Sequence, residues 1–284
     1  MKILVLGATG MLGHAVMRVL SENPELEVSG TVRAESSKRF FPANIADRLV
    51  TGVDVENQDS LTEALAESRP DVVVNCIGLV KQLAQAYDPL RALPINALLP
   101  HRLAKLCSLG NARLIQISTD CVFSGKVGNY LESDFPDAAD LYGRSKLLGE
   151  VEYENSITLR TSIIGHELQS PHSLIDWFLA QDGTCKGYTA AIFSGLPTVV
   201  LAKIIRDVVI PRPELFGLYH VSADPISKFD LLQLVAKQYG KNIKIVPEDS
   251  LKIDRSLDSA RFKAATGYKP PQWEELVNSM FVYK

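Results

Sequence analysis

The chain has 284 residues, 46% of them hydrophobic and 22% charged, with a formal net charge of −3 at pH 7. That composition suits one large or two modest globular domains and excludes the disordered, collagen-like and coiled-coil classes. Thirty basic and 33 acidic residues alternate along the whole length, which leaves no basic face for nucleic acid.

In chain order, Lys2–Leu6 reads as a strand. No basic region or small-residue cleavage site precedes it, so no secretory signal is expected and the expected compartment is the cytoplasm. Gly7-Ala8-Thr9-Gly10-Met11-Leu12-Gly13 follows and leads into an amphipathic helix from about Met11 to Leu20. Between a strand and a helix, Gly7 permits a tight turn and Gly10 lets the backbone approach a pyrophosphate. Gly13 lets the helix pack close on the strand. These residues, with the backbone of Thr9, Met11 and Leu12, are the expected dinucleotide cradle. The alternative is a merely tight turn.

Glu27–Val32 is the second predicted strand and runs into Arg33. An NAD site places an acid near this point to bind the ribose 2′-hydroxyl. An Arg instead pairs with a 2′-phosphate, so NADPH is favoured over NADH, unless Arg33 stacks on adenine. Val50–Val53 is the third strand, after which Asp54 and Val55 sit where the adenine edge is met, or on a plain surface loop. Val72–Cys76, Arg113–Ser118 and Ile157–Ile164 are further strands, with a helix at Leu99–Leu109. Short apolar runs separated by helix-length segments predict an α/β fold: a Rossmann-type doubly wound parallel sheet.

The fifth strand delivers Thr119 and Asp120 to a carboxyl edge, where open α/β sheets bind ligands. Thr119 is the candidate hydroxyl for a substrate carbonyl oxygen, the alternative being that Ser118 and Thr119 both cap the next turn, the reading preferred for Ser118. Tyr142 and Lys146 stand four apart, on one helix face. A tyrosine needs nearby positive charge to exchange a proton at neutral pH, and Lys146 supplies it. Past residue 165 the rhythm loosens around one helix near Ser173–Ala180. Helix Thr198–Val209 and strand Gly217–Val221 then rejoin the sheet, and helices follow near Lys228–Tyr239 and Trp273–Phe281. The expected domains are 1–165 plus about 195–223, and a smaller mixed α/β C-terminal lobe of about 166–194 plus 224–284.

The longest apolar stretch, Ala191 to Ile205, is broken by Ser194, Gly195, Pro197 and Lys203, so no membrane span is expected. Cys76, Cys107, Cys121 and Cys185 form no CxxC pair and read as buried or incidental thiols; no metal site is expected. The five histidines receive no chemistry.

The GxxGxxG spacing is similar to that of extended short-chain dehydrogenases. The strings STDCVFSG, GNYLESD, YGRSKLLGE and LRTSIIG, in this order, resemble the dTDP-4-dehydrorhamnose reductase family of that group over nearly the whole chain. The resemblance implies a cofactor-binding domain, a substrate lobe, and reduction of the 4-keto group of a nucleotide-linked 6-deoxyhexose in polysaccharide precursor synthesis. It matches Thr119, Tyr142 and Lys146 to the family's catalytic triad. It implies that Asn75, Cys76, Ile77 and Gly78, with Thr161 and Ser162, line the cleft. Asn96 matches a residue that supports the lysine through water, the alternative being a satisfied buried amide.

The segment Cys76–Gln82 departs from the family's usual alanine-rich run, which favours a relative acting on UDP- or GDP-linked sugars. Lys81 and Gln82 either read a sugar substituent or face solvent. Arg255 clamps a diphosphate or pairs with Asp254 or Asp258; Trp177 stacks on base or sugar or joins the core. Two alternatives stand beside reduction: an epimerase with bound NAD, and a regulatory subunit like that of methionine adenosyltransferase. The expected partner is a nucleotide sugar, with no nucleic acid and no membrane, and a homodimer is left open.

Overall fold

The computed structural model describes residues 1–80, 84–168 and 173–284. In chain order its first half comprises β1 (Lys2–Leu6), α1 (Met11–Ser21), β2 (Glu27–Thr31), α2 (Ala43–Ala46), β3 (Leu49–Val50), α3 (Gln58–Ser68), β4 (Val72–Asn75), α4 (Pro89–Ala92), α5 (Leu99–Leu109), β5 (Arg113–Thr119) and α6 (Leu141–Leu148). The second half comprises β6 (Ser156–Thr161), β7 (Ile163–Ile164), α7 (Leu174–Leu179), β8 (Thr184–Tyr188), β9 (Ala191–Phe193), β10 (Leu196–Pro197), α8 (Thr198–Ile204), β11 (Gly217–His220), β12 (Ile226–Ser227), α9 (Lys228–Tyr239), β13 (Lys244–Glu248), β14 (Ile253–Asp254), α10 (Ala260–Thr266) and α11 (Trp273–Val282).

Seven strands form one sheet in the order β11-β6-β5-β4-β1-β2-β3. The pairings from β3 through β2, β1 and β4 to β5 are parallel. Apolar runs covered on both faces produce this arrangement: Ile3 to Leu6 and Val72 to Val74 are all buried. Strand order reverses between β1 and β4, the switch point beside which such sheets bind ligands. The Rossmann-type expectation is therefore met.

The chain divides into two compact units. The first is Met1–Ser118, Asp140–Leu159 and Ala202–Leu218; its core joins Leu4, Leu6, Leu61, Val73, Leu103 and Leu114. The second is Thr119–Ala139, Arg160–Leu201 and Tyr219–Lys284. It carries three small sheets, β10-β7, β12-β9-β14 and β13-β8, with α7, α9, α10 and α11.

Several expected elements differ in extent. The third strand is only Leu49–Val50, because Gly52 at φ +78° turns the chain where the apolar run continues. The stretch read as turns around one helix contains β8 and β9. Thr184–Tyr188 has an alternating burial pattern but includes a lysine and a glycine, and is held by parallel pairing with β13. The predicted helix Thr198–Val209 is α8 followed by a π-helical turn at Ile205–Val209. All four cysteines are free thiols, Cys107 and Cys185 buried and Cys76 and Cys121 half-buried.

Candidate active site

In the first unit the glycine turn packs as tightly as its sequence predicts. Gly7 has φ +79°, a region favouring glycine, and a Cβ there would lie 2.7 Å from Ile77 Cγ1. A Cβ on Gly13 would collide with Gly7 O. The Gly10 N–H donates to Gly7 O at 3.0 Å, closing the turn. Gly10 caps α1 without a side-chain bond, and no acid stands in the first turn. The helix start, with Met11 half-buried and Leu12 buried, thus presents backbone donors and a positive dipole end that no side chain neutralises.

Arg33 lies exposed just past β2. Asp54 is exposed and shapes its own turn, its carboxylate accepting from Glu56 N at 3.0 Å. Val55 and Ile77 pack against the core of the unit. At the end of β4, Asn75 donates to Gln116 Oε1 at 2.7 Å and accepts from Ile77 N at 3.1 Å, which fixes the departure of Cys76, Ile77 and Gly78.

A π-helical turn, Leu93–Leu98, joins α4 to α5. Pro94 and Pro100 lack donors for regular helical bonds, and such widened turns recur at functional sites. The turn presents the buried amide of Asn96. Asn96 Oδ1 accepts from Leu79 N at 2.9 Å, and Nδ2 donates to Leu79 O at 3.1 Å and to Ser145 Oγ at 3.2 Å. Both amide hydrogens are engaged, so Asn96 ties the segment after β4 to α6. A Cβ on Gly78 would lie 3.4 Å from Asn96 Oδ1 and 3.7 Å from Lys146 Nζ, so the three meet at one point.

Helix α6 is started by Asp140, whose carboxylate accepts from Gly143 N at 2.8 Å. Tyr142 is half-buried, and one turn later Lys146 is only 7% exposed. The lysine Nζ donates to Ile117 O at 2.8 Å. Burial pushes its pKa down to about 8, opposed by the charge of Glu150. Glu150 is held by Ser118, whose hydroxyl donates to it at 2.6 Å. The Cys76 thiol is pushed up to about 12 by burial and stays neutral.

This lysine costs stability. Its folded pKa near 8 lies below the ordinary 10.5, so the unfolded chain binds more protons between those values and stability rises with pH across that window. At pH 7 the full cost, about 3 kcal/mol, is present. Lys146→Met is expected to stabilise the fold by about 2 kcal/mol at pH 7, after roughly 1 kcal/mol for the lost bond to Ile117 is deducted. It also flattens the pH dependence between 8 and 10.5. Urea denaturation at pH 7 and pH 10 measures both; a variant less stable than the parent at pH 7 contradicts this account.

In the second unit, Thr119 is 8% exposed. Its hydroxyl donates to Asp120 Oδ1 at 3.1 Å and accepts from Cys121 N at 3.1 Å. Thr119, not Ser118, is therefore the strand-end cap, correcting the expectation for Ser118. Asp120 is buried, which raises its pKa; Arg255 opposes the rise, as do hydrogen bonds from Cys121, Thr119 and Ser162. Arg255 Nε donates to Phe123 O at 2.8 Å. The acids considered as its partners are engaged elsewhere, Asp254 by Ser256 and Asp258 by Ala260.

The family described as RmlD substrate binding domain matches residues 1–283. The chain belongs to that family. It is 24% identical over 307 residues to the dTDP-4-dehydrorhamnose reductase of Aggregatibacter actinomycetemcomitans, covering 99% of each chain. It is 26% identical over 251 residues to methionine adenosyltransferase 2 subunit beta of Danio rerio, covering 84% of this chain and 74% of that one. A solved structure of dTDP-4-dehydrorhamnose reductase from Bacillus anthracis in complex with NADP superposes with a TM-score of 0.79. That match has 21% identity and covers 100% of this chain and 99% of that one, which establishes a shared fold.

Within this RmlD-family chain, the structure brings Gly78, Asn96 and Lys146 together at the carboxyl edge of the sheet, and holds Thr119, Asp120 and Arg255 within the second unit. Trp177 lies on α7 and is 41% exposed, which removes it from the core. Lys81 and Gln82 lie outside the described residues. Sequence reading missed Lys228, a half-buried cation near Asp120 whose position as an ordinary first helical residue gives no signal. Among the described residues no group of three or more His, Cys, Asp or Glu could hold a metal ion, and no helix is long and apolar enough to cross a membrane.

Proposed function

We propose that this protein is an NADPH-preferring reductase of the 4-keto group of a nucleotide-linked 4-keto-6-deoxyhexose, serving polysaccharide precursor synthesis. The observation that carries the reading is Lys146. A buried ammonium with a depressed pKa, bonded to a strand-end carbonyl and one helical turn from Tyr142, is costly for the fold and suited to proton transfer.

The residues present fit a dinucleotide, because the start of α1 offers uncapped backbone donors beside glycines that leave room for a phosphate. Gly7, Thr9, Gly10, Met11, Leu12 and Gly13 would hold the pyrophosphate and Arg33 the 2′-phosphate. Asp54 and Val55 would border the adenine, and Cys76, Ile77, Gly78 and Asn96 the nicotinamide side. When bound, NADPH supplies a hydride to the carbonyl carbon. Tyr142 gives its phenolic proton to the carbonyl oxygen, and Lys146 stabilises the resulting phenolate and binds the ribose hydroxyls. Thr119 binds the substrate oxygen once its hydroxyl turns from Asp120. The smaller unit is the substrate lobe, with Asp120, Arg255 and the exposed ring of Trp177 as further contacts. Lys81 keeps its proposed role near the sugar.

The test mixes cofactor-free protein with dTDP-, UDP- and GDP-linked 4-keto-6-deoxyhexoses and follows NADPH and NADH absorbance. Turnover with one sugar supports the reading and names the nucleotide. The methionine adenosyltransferase beta subunits among the relatives favour a second reading, a regulatory subunit. Silence across the panel, with NADPH bound and a synthetase subunit co-purifying, selects that reading instead. For Arg33, the expected result is specific: Arg33→Asp weakens NADPH binding by about 10- to 100-fold and leaves NADH binding equal or better, as for loss of a charge-assisted bond. Equal loss for both cofactors would show that Arg33 stacks on adenine.

A further inference from the structure

In the second unit Arg160, near the end of β6, is 1% exposed and meets the buried ring of His220 at the end of β11. Arg160 Nη1 and His220 Nε2 lie 2.9 Å apart. A guanidinium only donates, so Nε2 accepts and the proton of the neutral ring sits on Nδ1. From there it is donated to Tyr130 O at 3.0 Å. The main-chain N–H of His220 donates to Glu132 Oε1 at 2.8 Å. One neutral tautomer satisfies both ring contacts, and the segment around Tyr130 is tied to β11 at two points.

Ring packing carries the same order to the turn after β5. The buried ring of Phe123 stacks on Tyr130, with centroids 4.1 Å apart and planes 5° from parallel. The Arg160 guanidinium lies 5.0 Å from the Phe123 centroid, and the His220 ring meets Phe123 edge-on at 5.9 Å. The main chain of Phe123 closes the turn that begins at Thr119: its N–H donates to Asp120 O at 3.0 Å, and its carbonyl accepts from Arg255 Nε at 2.8 Å. Apolar side chains would fill this volume at less cost than a buried cation and imidazole. What the polar pair adds is one fixed place for the Phe123 ring.

We propose that Arg160 and His220 are positioning residues for the substrate-side turn, holding Phe123 and, through it, the Thr119 hydroxyl and the Arg255 guanidinium. They act through Phe123 and Tyr130 and touch neither substrate nor cofactor. The assignment rests on the reductase reading, which gives Thr119 and Arg255 their substrate contacts. Acid is the condition that undoes the arrangement. Burial, and then the Arg160 charge, push the His220 pKa down to about 4, opposed by main-chain bonds with Tyr130 and Asp258 and by the Asp258 charge. The charged groups beside His220 are Arg160 from β6, Glu132 from the segment after Tyr130, and Asp258 from the segment before α10. A second ring proton goes to Nε2, where it faces Arg160 and removes the acceptor, so Phe123 loses its fixed neighbours.

The test is the pH profile of kcat/KM for the ketosugar that the full chain turns over, with NADPH saturating and circular dichroism limiting the range to folded protein. The parent is expected to lose activity as pH falls toward about 4. Arg160→Met removes the cation: kcat/KM at pH 7 should drop at least about 10-fold, with NADPH affinity within about twofold of the parent. Its acid limb should move up by about one unit, toward the ordinary 6.5 of histidine. Arg160→Lys keeps a charged donor and should keep the parent's limb. His220→Gln, whose amide can accept from Arg160 and donate to Tyr130 O, should retain most activity at pH 7 and lose the limb, which keeps the proposal falsifiable should Arg160→Met fold poorly. Activity lowered evenly across pH, with the limb unmoved in every variant, would show a merely structural pair and overturn the assignment alone. A parent that turns over no ketosugar would instead strike the reductase reading and take the positioning assignment with it.

Discussion

Tyr142→Phe is expected to lower ketosugar turnover by about 10²- to 10⁴-fold, the usual contribution of a positioned general acid. The ring is retained and only the hydroxyl is lost from a half-buried position on α6, so the helix and its Asp140 cap should persist. NADPH binding should stay within about twofold, because the glycine turn and Arg33 are untouched. Stopped-flow turnover together with a cofactor titration separates chemistry from binding. The pH dependence gives a second readout. Lys146 loses its proton near pH 8, so the parent's turnover should fall as pH rises through that value, and the residual activity of the variant should lose this limb. Turnover within about threefold of the parent would remove Tyr142 from the reaction.

Gly13→Ala is expected to have a large structural effect in the first unit. The added carbon would collide with Gly7 O and approach Ala8 Cα at 3.1 Å. Both neighbours are backbone, and Gly7 O also closes the turn with Gly10, so nothing flexible can yield. Helix α1 would have to retreat from β1, although it buries Val16, Met17, Val19 and Leu20 there. Overpacking of this kind costs about 1–3 kcal/mol. A melting temperature lower by roughly 2–10 °C follows for a chain of this size, and NADPH binding should fall below detection. Gly10→Ala makes the contrast: its Cβ would sit 3.4 Å from Gly7 O, so the fold should survive while the pyrophosphate loses room. Gly13→Ala with unchanged melting and unchanged NADPH affinity would contradict the close packing.

Much of this was legible in the sequence where local chemistry dictates structure. The apolar runs of β1 and β4 and the spaced glycines before α1 gave the sheet and its anion-facing helix start. The four-residue spacing of Tyr142 and Lys146 placed both on α6. Less was legible where tertiary contacts decide. The burial of Lys146 against Ile117 O depends on a strand 29 residues away. Asn96 reads as an ordinary helical amide until the π-helical turn aims it at Leu79 and Ser145. For Thr119 the sequence leaves a substrate hydroxyl and a turn cap both open, and the structure shares its hydroxyl between Cys121 N and Asp120. Lys228 was invisible because its neighbours Asp120 and Arg255 come from distant parts of the chain.

The division of the chain has an evolutionary consequence. Neither unit is a continuous stretch: the polypeptide passes between them after Ser118, Ala139, Leu159, Leu201 and Leu218. The small sheet β12-β9-β14 takes its middle strand from before the last passage and both outer strands from after it. A single recombination breakpoint therefore delivers an incomplete lobe, with β9 left unpaired on one side of the exchange. New specificities in this lineage should arise by point changes and loop-length variation inside an intact scaffold, and chimaeras spliced at residue 219 between distant relatives should express poorly even when both parents are robust.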